Sequence, residues 1–212
     1  MLFGENSFMA TLITDPSLEE RLRAEREASG ADRFDESWEG IYMMAPMPNN
    51  EHQQIVTRLS SILQEVVGWS GQGEVCAGVN LSDLEKDWKQ DYRVPDIAVF
   101  LEGGSAQNRG THWQGAADFL VEVISRDDRT REKLSYYASL GVRELLLIDR
   151  DPWAVELYRL GGGGLEQVGV SKLDDDQVLR SEQVPLSFRL VAGGDRPVVE
   201  VSLAGGEKQW QV

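Results

Sequence analysis

Two acids stand inside apolar runs, where an ionised side chain is expensive. In DFLVEVISRDDRTREKLSYY, residues 118–137, Glu122 interrupts Phe119, Leu120, Val121, Val123 and Ile124. Those five are apolar at both parities of a two-residue period, the pattern of a strand covered on each face of its sheet. In YRVPDIAVFL, Asp96 follows Pro95, with Ala98 and Phe100 at its own parity and Ile97 and Val99 at the other. A carboxylate in packed protein either takes up a proton or finds a cation. If the two strands pair, the acids meet and repel unless a cation lies between them, and a divalent metal would answer both burials. Two carboxylates that leave Mg²⁺ (or Mn²⁺) partly hydrated keep places for water and a phosphate oxygen, which is the apparatus of phosphodiester hydrolysis.

Such a site also needs a protein cation, and Lys133 borders the apolar stripe of the next helix beside Tyr137 and Leu140. A helix begun at Ser125 would set the Lys133 backbone about 12 Å up its axis, at the limit of the side chain, and one begun near Asp128 brings it comfortably closer. Each acid also has a plainer reading. Asp96 could accept backbone hydrogen bonds near Pro95, and Glu122 could pair with Arg93 or Arg143. His52 heads another apolar stripe and reads as a hydrogen-bonded histidine of the core or rim, or as a site residue. No second histidine accompanies it at metal-binding spacing, and His112 falls in a loop. Arg126, Arg129, Arg131 and Lys133 cluster with Asp127, Asp128 and Glu132, a mild positive excess that reads first as a solvated helix face. Trp88, Trp113 and Trp153 could stack on bases or close the edge of the core.

The elements that must position these residues follow from periodicity. SLEERLRAEREA, residues 17–28, reads as a charged helix capped by Ser17 with Glu20 as its capping partner and ended by Gly30. ESWEGIYMMAP reads as a strand running into a turn at Pro46 and Pro48. From Asn49 to Val67, the residues Ile55, Val56, Leu59, Ile62, Leu63 and Val66 recur at helical spacing behind an asparagine cap. EVCAGVNLS predicts a strand, SDLEKDWKQDY a polar connection, YRVPDIAVFL a strand and EGGSAQNRGTHWQG a loop. After the Glu122 strand, Ser125 and Asp128 suggest a capping box for a helix with Leu134, Tyr137, Ala138 and Leu140 on one side and Gly141 at its end. ELLLID and AVELYRL predict two strands joined around DRDPW, GGGG marks the end of the main unit, and LSFRLV and PVVEVSL add strands.

The result is an α/β (α+β) fold whose central strands are apolar on both faces, with an extra N-terminal helix and C-terminal strands. It divides into an N-terminal extension at 1–34, a core at 35–160 and a C-terminal β extension at 161–212. The 212 residues suffice for one complete core. No apolar run approaches the roughly 20 residues of a membrane span, and the opening residues lack a secretory signal. A single cysteine, Cys76, leaves no internal disulfide and fits a reducing cytoplasm. The net charge of −15 argues against tight DNA binding without a metal.

The segments EG ahead of MAPMPNNEHQQIV, then RVPDIAVF, FLVEVIS and REKLSYYASLGVRELLLIDRD, in that order, resemble the Uma2 family within the PD-(D/E)XK nuclease superfamily. The resemblance spans roughly residues 35 to 160. It implies a restriction-endonuclease-like fold, a mixed central sheet flanked by helices, and Mg²⁺-dependent cleavage of DNA. Under it Asp96 matches the acid of the PD motif and Glu122 that of (D/E)XK. The lysine of that motif would fall at Ile124, so Lys133 resembles a migrated replacement. His52 matches the histidine heading the first helix, and Glu39 lies at the acidic-glycine pair before it. A homodimer would suit cleavage of two strands. The competing reading is a catalytically inactive nuclease-like module that binds protein or nucleic acid, motivated by Ile124 and the net charge.

Overall fold

The computed structural model describes residues 15–124 and 129–212. The capping box expected at Ser125 and Asp128 lies outside the described residues, as do Arg126 and Asp127 of the basic cluster. Helix α1 (Pro16–Ser29) is capped by Asp15, two residues earlier than the sequence suggested. The Asp15 carboxylate accepts from the Ser17 and Leu18 amides at 2.9 and 3.3 Å, and the Ser17 hydroxyl donates to the same carboxylate. Aspartate wins because its Oδ1 alone accepts from both exposed amides and from the serine hydroxyl. Gly30 ends α1 in the left-handed conformation, as expected. No residue of α1 is buried; Arg26 ties it down by bonding the Asp35 carboxylate and the Ala45 carbonyl.

The segment read as one strand is a hairpin of β1 (Glu36–Trp38) and β2 (Ile41–Met43). Its two turn residues, Glu39 and Gly40, have φ of 50° and 83°, the double left-handed step that a two-residue hairpin turn needs. Helix α2 (Asn50–Leu63) is capped by Asn49, whose side chain accepts from the His52 amide at 2.9 Å. It ends earlier than periodicity indicates, and residues Gln64–Gly68 continue as a π-helical turn that keeps Val67 buried. The apolar stripe therefore runs on while the hydrogen-bond pattern under it changes.

Strands β3 (Gly73–Ala77), β4 (Leu81–Ser82), β5 (Ile97–Leu101), β6 (Gln107–Asn108), β7 (Trp113–Gln114) and β8 (Phe119–Ile124) follow. A 3-10 turn, Thr130–Lys133, leads into α3 (Leu134–Leu140), which Gly141 closes. Next come β9 (Glu144–Arg150), β10 (Trp153–Gly161) and β11 (Gly164–Ser171). The glycine run turns the chain instead of ending the sheet, since β11 pairs with β10 across Gly161 and Gly164. Strands β12 (Leu179–Arg180), β13 (Leu186–Val191), β14 (Val198–Leu203) and β15 (Gln209–Gln211) form a separate four-stranded antiparallel sheet. The small strands β4, β7 and β6 form a three-stranded sheet in which β4 and β7 run parallel.

The central sheet has the order β11-β10-β9-β8-β5-β3, with β8 and β9 parallel and the other neighbours antiparallel. This is the expected mixed sheet. Alternation along β8 and β9 divides the core in two. Phe119, Val121, Val123, Leu146 and Ile148 pack with α2 and with Leu186, Phe188 and Val201 of the C-terminal sheet. Leu120, Ile124, Leu145 and Leu147 pack with Tyr137 of α3. Burial of both faces explains the unbroken apolar runs. No helix among the described residues is long and apolar enough to cross a membrane.

Candidate active site

The ladder between β5 and β8 pairs Ile97 with Val121 and stops there; one more step would set Asp96 opposite Glu122. Asp96 thus stands just before its strand, where the sequence had placed it just inside. Its Oδ2 accepts from the Val123 amide at 2.7 Å, so a carboxylate replaces the carbonyl that a continued ladder would have supplied. Oδ1 lies 2.8 Å from His52 Nε2, reached from the first turn of α2. The other ring nitrogen, His52 Nδ1, is buried and without a hydrogen-bond partner among the described residues.

Glu122, 3% exposed, receives two donors on Oε1: the Tyr137 hydroxyl at 2.6 Å and Lys133 Nζ at 3.2 Å. Arg93 and Arg143 are occupied elsewhere, Arg93 with Ser37 and Asp91 and Arg143 with Asp118. Lys133 Nζ also lies 2.7 Å from Glu36 Oε1. Glu36 is itself fixed: Oε1 accepts from the Val94 amide at 2.8 Å and Oε2 from the Trp38 indole at 2.6 Å. Sequence reasoning missed this third acid. The fold brings Asp96, Glu122, Lys133 and His52 together and leaves Glu39 out, exposed at the hairpin turn three residues beyond Glu36. Alternation in ESWEG, with Glu36 and Trp38 on one face, was the available signal.

Two carboxylates, Glu122 and Glu36, therefore hold one ammonium, and the charge of Asp96 acts on it as well. Burial pushes the Glu122 carboxyl up to about 8; Lys133 opposes that shift, and the charges of Asp96 and Glu36 reinforce it. Burial would by itself depress Lys133, but the charges of Glu122, Glu36 and Asp96 outweigh it and hold the ammonium protonated. Tyr137 is raised well above its ordinary range by burial and by Glu122, so it stays a neutral donor.

Among the described residues no cluster of three or more His, Cys, Asp or Glu side chains is set to hold a metal ion. What Asp96 and Glu122 offer is two hard oxygen donors in a site with excess negative charge. That suits a cation that takes one or two carboxylates and keeps its waters, Mg²⁺ or Mn²⁺, and does not suit a closed nitrogen or sulfur cage.

Of the tryptophans singled out, Trp113 lies in the core and Trp153 packs against it. Trp113 stacks on Phe100 with ring centroids 3.7 Å apart, and Trp88 stacks on His112 at 4.9 Å, which accounts for the loop histidine. Cys76 is half-buried, and burial pushes its thiol up.

A family model described as "Uma2: Putative restriction endonuclease" matches residues 19–193. Among solved structures, the chain is similar to a crystal structure described as a putative nuclease belonging to DUF820 from Anabaena variabilis ATCC 29413. Identity is 22% and the TM-score 0.56, over 69% of this chain and 80% of that one. That likeness shows the fold. No curated protein matches the chain.

Proposed function

The chain belongs to the Uma2 family, and from that premise we propose that it is a divalent-metal-dependent endonuclease that hydrolyses DNA phosphodiester bonds. The observation that carries the reading is the position of Lys133 Nζ, 3.2 Å from Glu122 and 2.7 Å from Glu36, although Ile124 stands where the PD-(D/E)XK motif has its lysine. The cation comes from the 3-10 turn after the strand instead of from the strand itself.

Asp96 and Glu122 would hold Mg²⁺ (or Mn²⁺), which when bound supplies charge neutralisation at the phosphoryl group and a more acidic water. The chain's own residues do the rest. The Val123 amide and His52 hold Asp96 in one orientation. The Tyr137 hydroxyl and the Lys133 ammonium together fix Glu122 Oε1. An ammonium has three N–H donors, and with two directed at Glu122 and Glu36 the third can orient a water or meet a phosphate oxygen. Glu36 keeps that ammonium in place and takes no part in the ligand pair. The enzyme would act in the cytoplasm, and cutting both strands would use two copies related by a two-fold axis.

The inactive-module reading drew its support from Ile124 and the net charge, and a lysine reaching Glu122 from the next element removes the first of these. The test is cleavage of supercoiled, linear and single-stranded DNA in Mg²⁺ or Mn²⁺, with chelator as control and with Asp96→Ala alongside. Metal-dependent cleavage lost in that variant is the expected result. DNA binding without cleavage of any form, unchanged in Asp96→Ala, would favour the inactive module.

A further inference from the structure

Lys133 must be placed accurately from a short turn that has no capping side chain among the described residues: neither Arg129 at its start nor Lys133 at the start of α3 makes a side-chain cap hydrogen bond. Within the turn, Arg129 pairs with Glu132 at 2.5 Å. Arg131 links the turn to the outer part of the sheet. Its Nη2 lies 2.7 Å from Glu156 Oε1 and 3.0 Å from Asp149 Oδ2, and its Nη1 lies 2.9 Å from Glu156 Oε2. Glu156 is buried and prepared for this contact, since its Oε2 also accepts from the Tyr158 hydroxyl at 2.6 Å and the Gln167 amide at 2.7 Å. A bidentate guanidinium–carboxylate pair fixes direction as well as distance.

The strand register makes the geometry specific. Glu122 pairs with Leu147 across β8 and β9, and Leu147 pairs with Glu156 across β9 and β10. The two glutamates therefore share a face of the sheet, two strand spacings or roughly 10 Å apart. Residues two apart on a 3-10 turn point about 240° from one another around its axis. Over the same face, Lys133 thus reaches Glu122 while Arg131 reaches Glu156.

We propose that Arg131 is a positioning residue: its grip on Glu156 and Asp149 seats the turn on the sheet and thereby holds the Lys133 ammonium between Glu122 and Glu36. The catalytic consequence rests on the nuclease reading, and the seating itself does not. The chain has five lysines, of which Lys86, Lys89, Lys172 and Lys208 are exposed. Timed acylation of the full-length protein with an amine-reactive ester, read by mass spectrometry, reports Lys133 against those four.

Lys133 should be the slowest in the wild type. In Arg131→Ala and in Glu156→Gln its rate should rise by about tenfold or more through local opening, with the other four unchanged. In the same variants kcat should fall by about tenfold or more at nearly constant KM, as expected for a misplaced group. Should Arg131→Ala fail to fold, Glu156→Gln carries the test, because it loosens the clamp from the sheet side. Unchanged protection of Lys133 in folded variants would overturn the proposal. Loss of protection in a protein whose wild type cleaves no DNA would support the seating while counting against the nuclease reading.

Discussion

Glu122 holds its proton more tightly in the fold than in the unfolded chain, with a folded value of about 8 against an ordinary 4.5. A carboxyl raised in this way contributes stability that is complete below pH 4.5 and is lost as pH rises through about 8. The metal-free protein should therefore melt at progressively lower temperature across that window. Glu122→Gln, neutral throughout, should show a flatter profile by calorimetry, and parallel profiles would contradict the shift. A metal takes the deprotonated acid, so Mn²⁺ affinity should rise about tenfold per pH unit below about 8 and level off above it. Titration calorimetry at several pH values checks this, and a pH-independent affinity would count against Glu122 as a ligand. At this scale Asp96 and Glu122 were legible because charge is conspicuous in apolar runs. Glu36 was not, because its relevance depends on a hairpin register and on the pairing of β1 with a distant part of the chain.

The elements that carry these residues were read in outline, and the differences lie at their ends. Periodicity reports which side of a segment is buried, so α2 and the central strands were plain. It does not distinguish α from π hydrogen bonding, and the stripe ran past Leu63 into the π turn without a break. Lys133 was placed by angle on an assumed α-helix, whereas it ends a 3-10 turn and reaches the acid from there. Gly141 was read correctly as the close of α3. Its φ of 93° lies in the left-handed region, and the nearest atom to an added Cβ would be Ala116 Cβ at 3.7 Å, an ordinary contact. Gly141→Ala should therefore cost about 1–2 kcal/mol through backbone strain alone. A lower urea midpoint at unchanged slope is the expected result, and an unchanged midpoint would show that the cap relaxes freely.

For the whole molecule, the sheet and its covered faces were visible in the alternation of strands and helices. The six-strand extent was not, because a run of glycines can either end a unit or turn a hairpin. A net charge of −15 makes the protein a poor ligand for a polyanion unless cations intervene. Fluorescence anisotropy with a short duplex in chelator should show weak binding that strengthens when Mg²⁺ is added, and tight metal-independent binding would contradict this. The account as a whole turns on whether the buried carboxylate, the lysine beside it and a divalent ion form one hydrolytic centre. The direct measurement is plasmid nicking and linearisation in Mg²⁺ or Mn²⁺ by wild type, Glu122→Ala and Lys133→Ala purified in parallel and shown to be folded. Metal-dependent cleavage by the wild type, reduced about a hundredfold or more in each variant, is the result predicted; cleavage that survives in folded Glu122→Ala would contradict it.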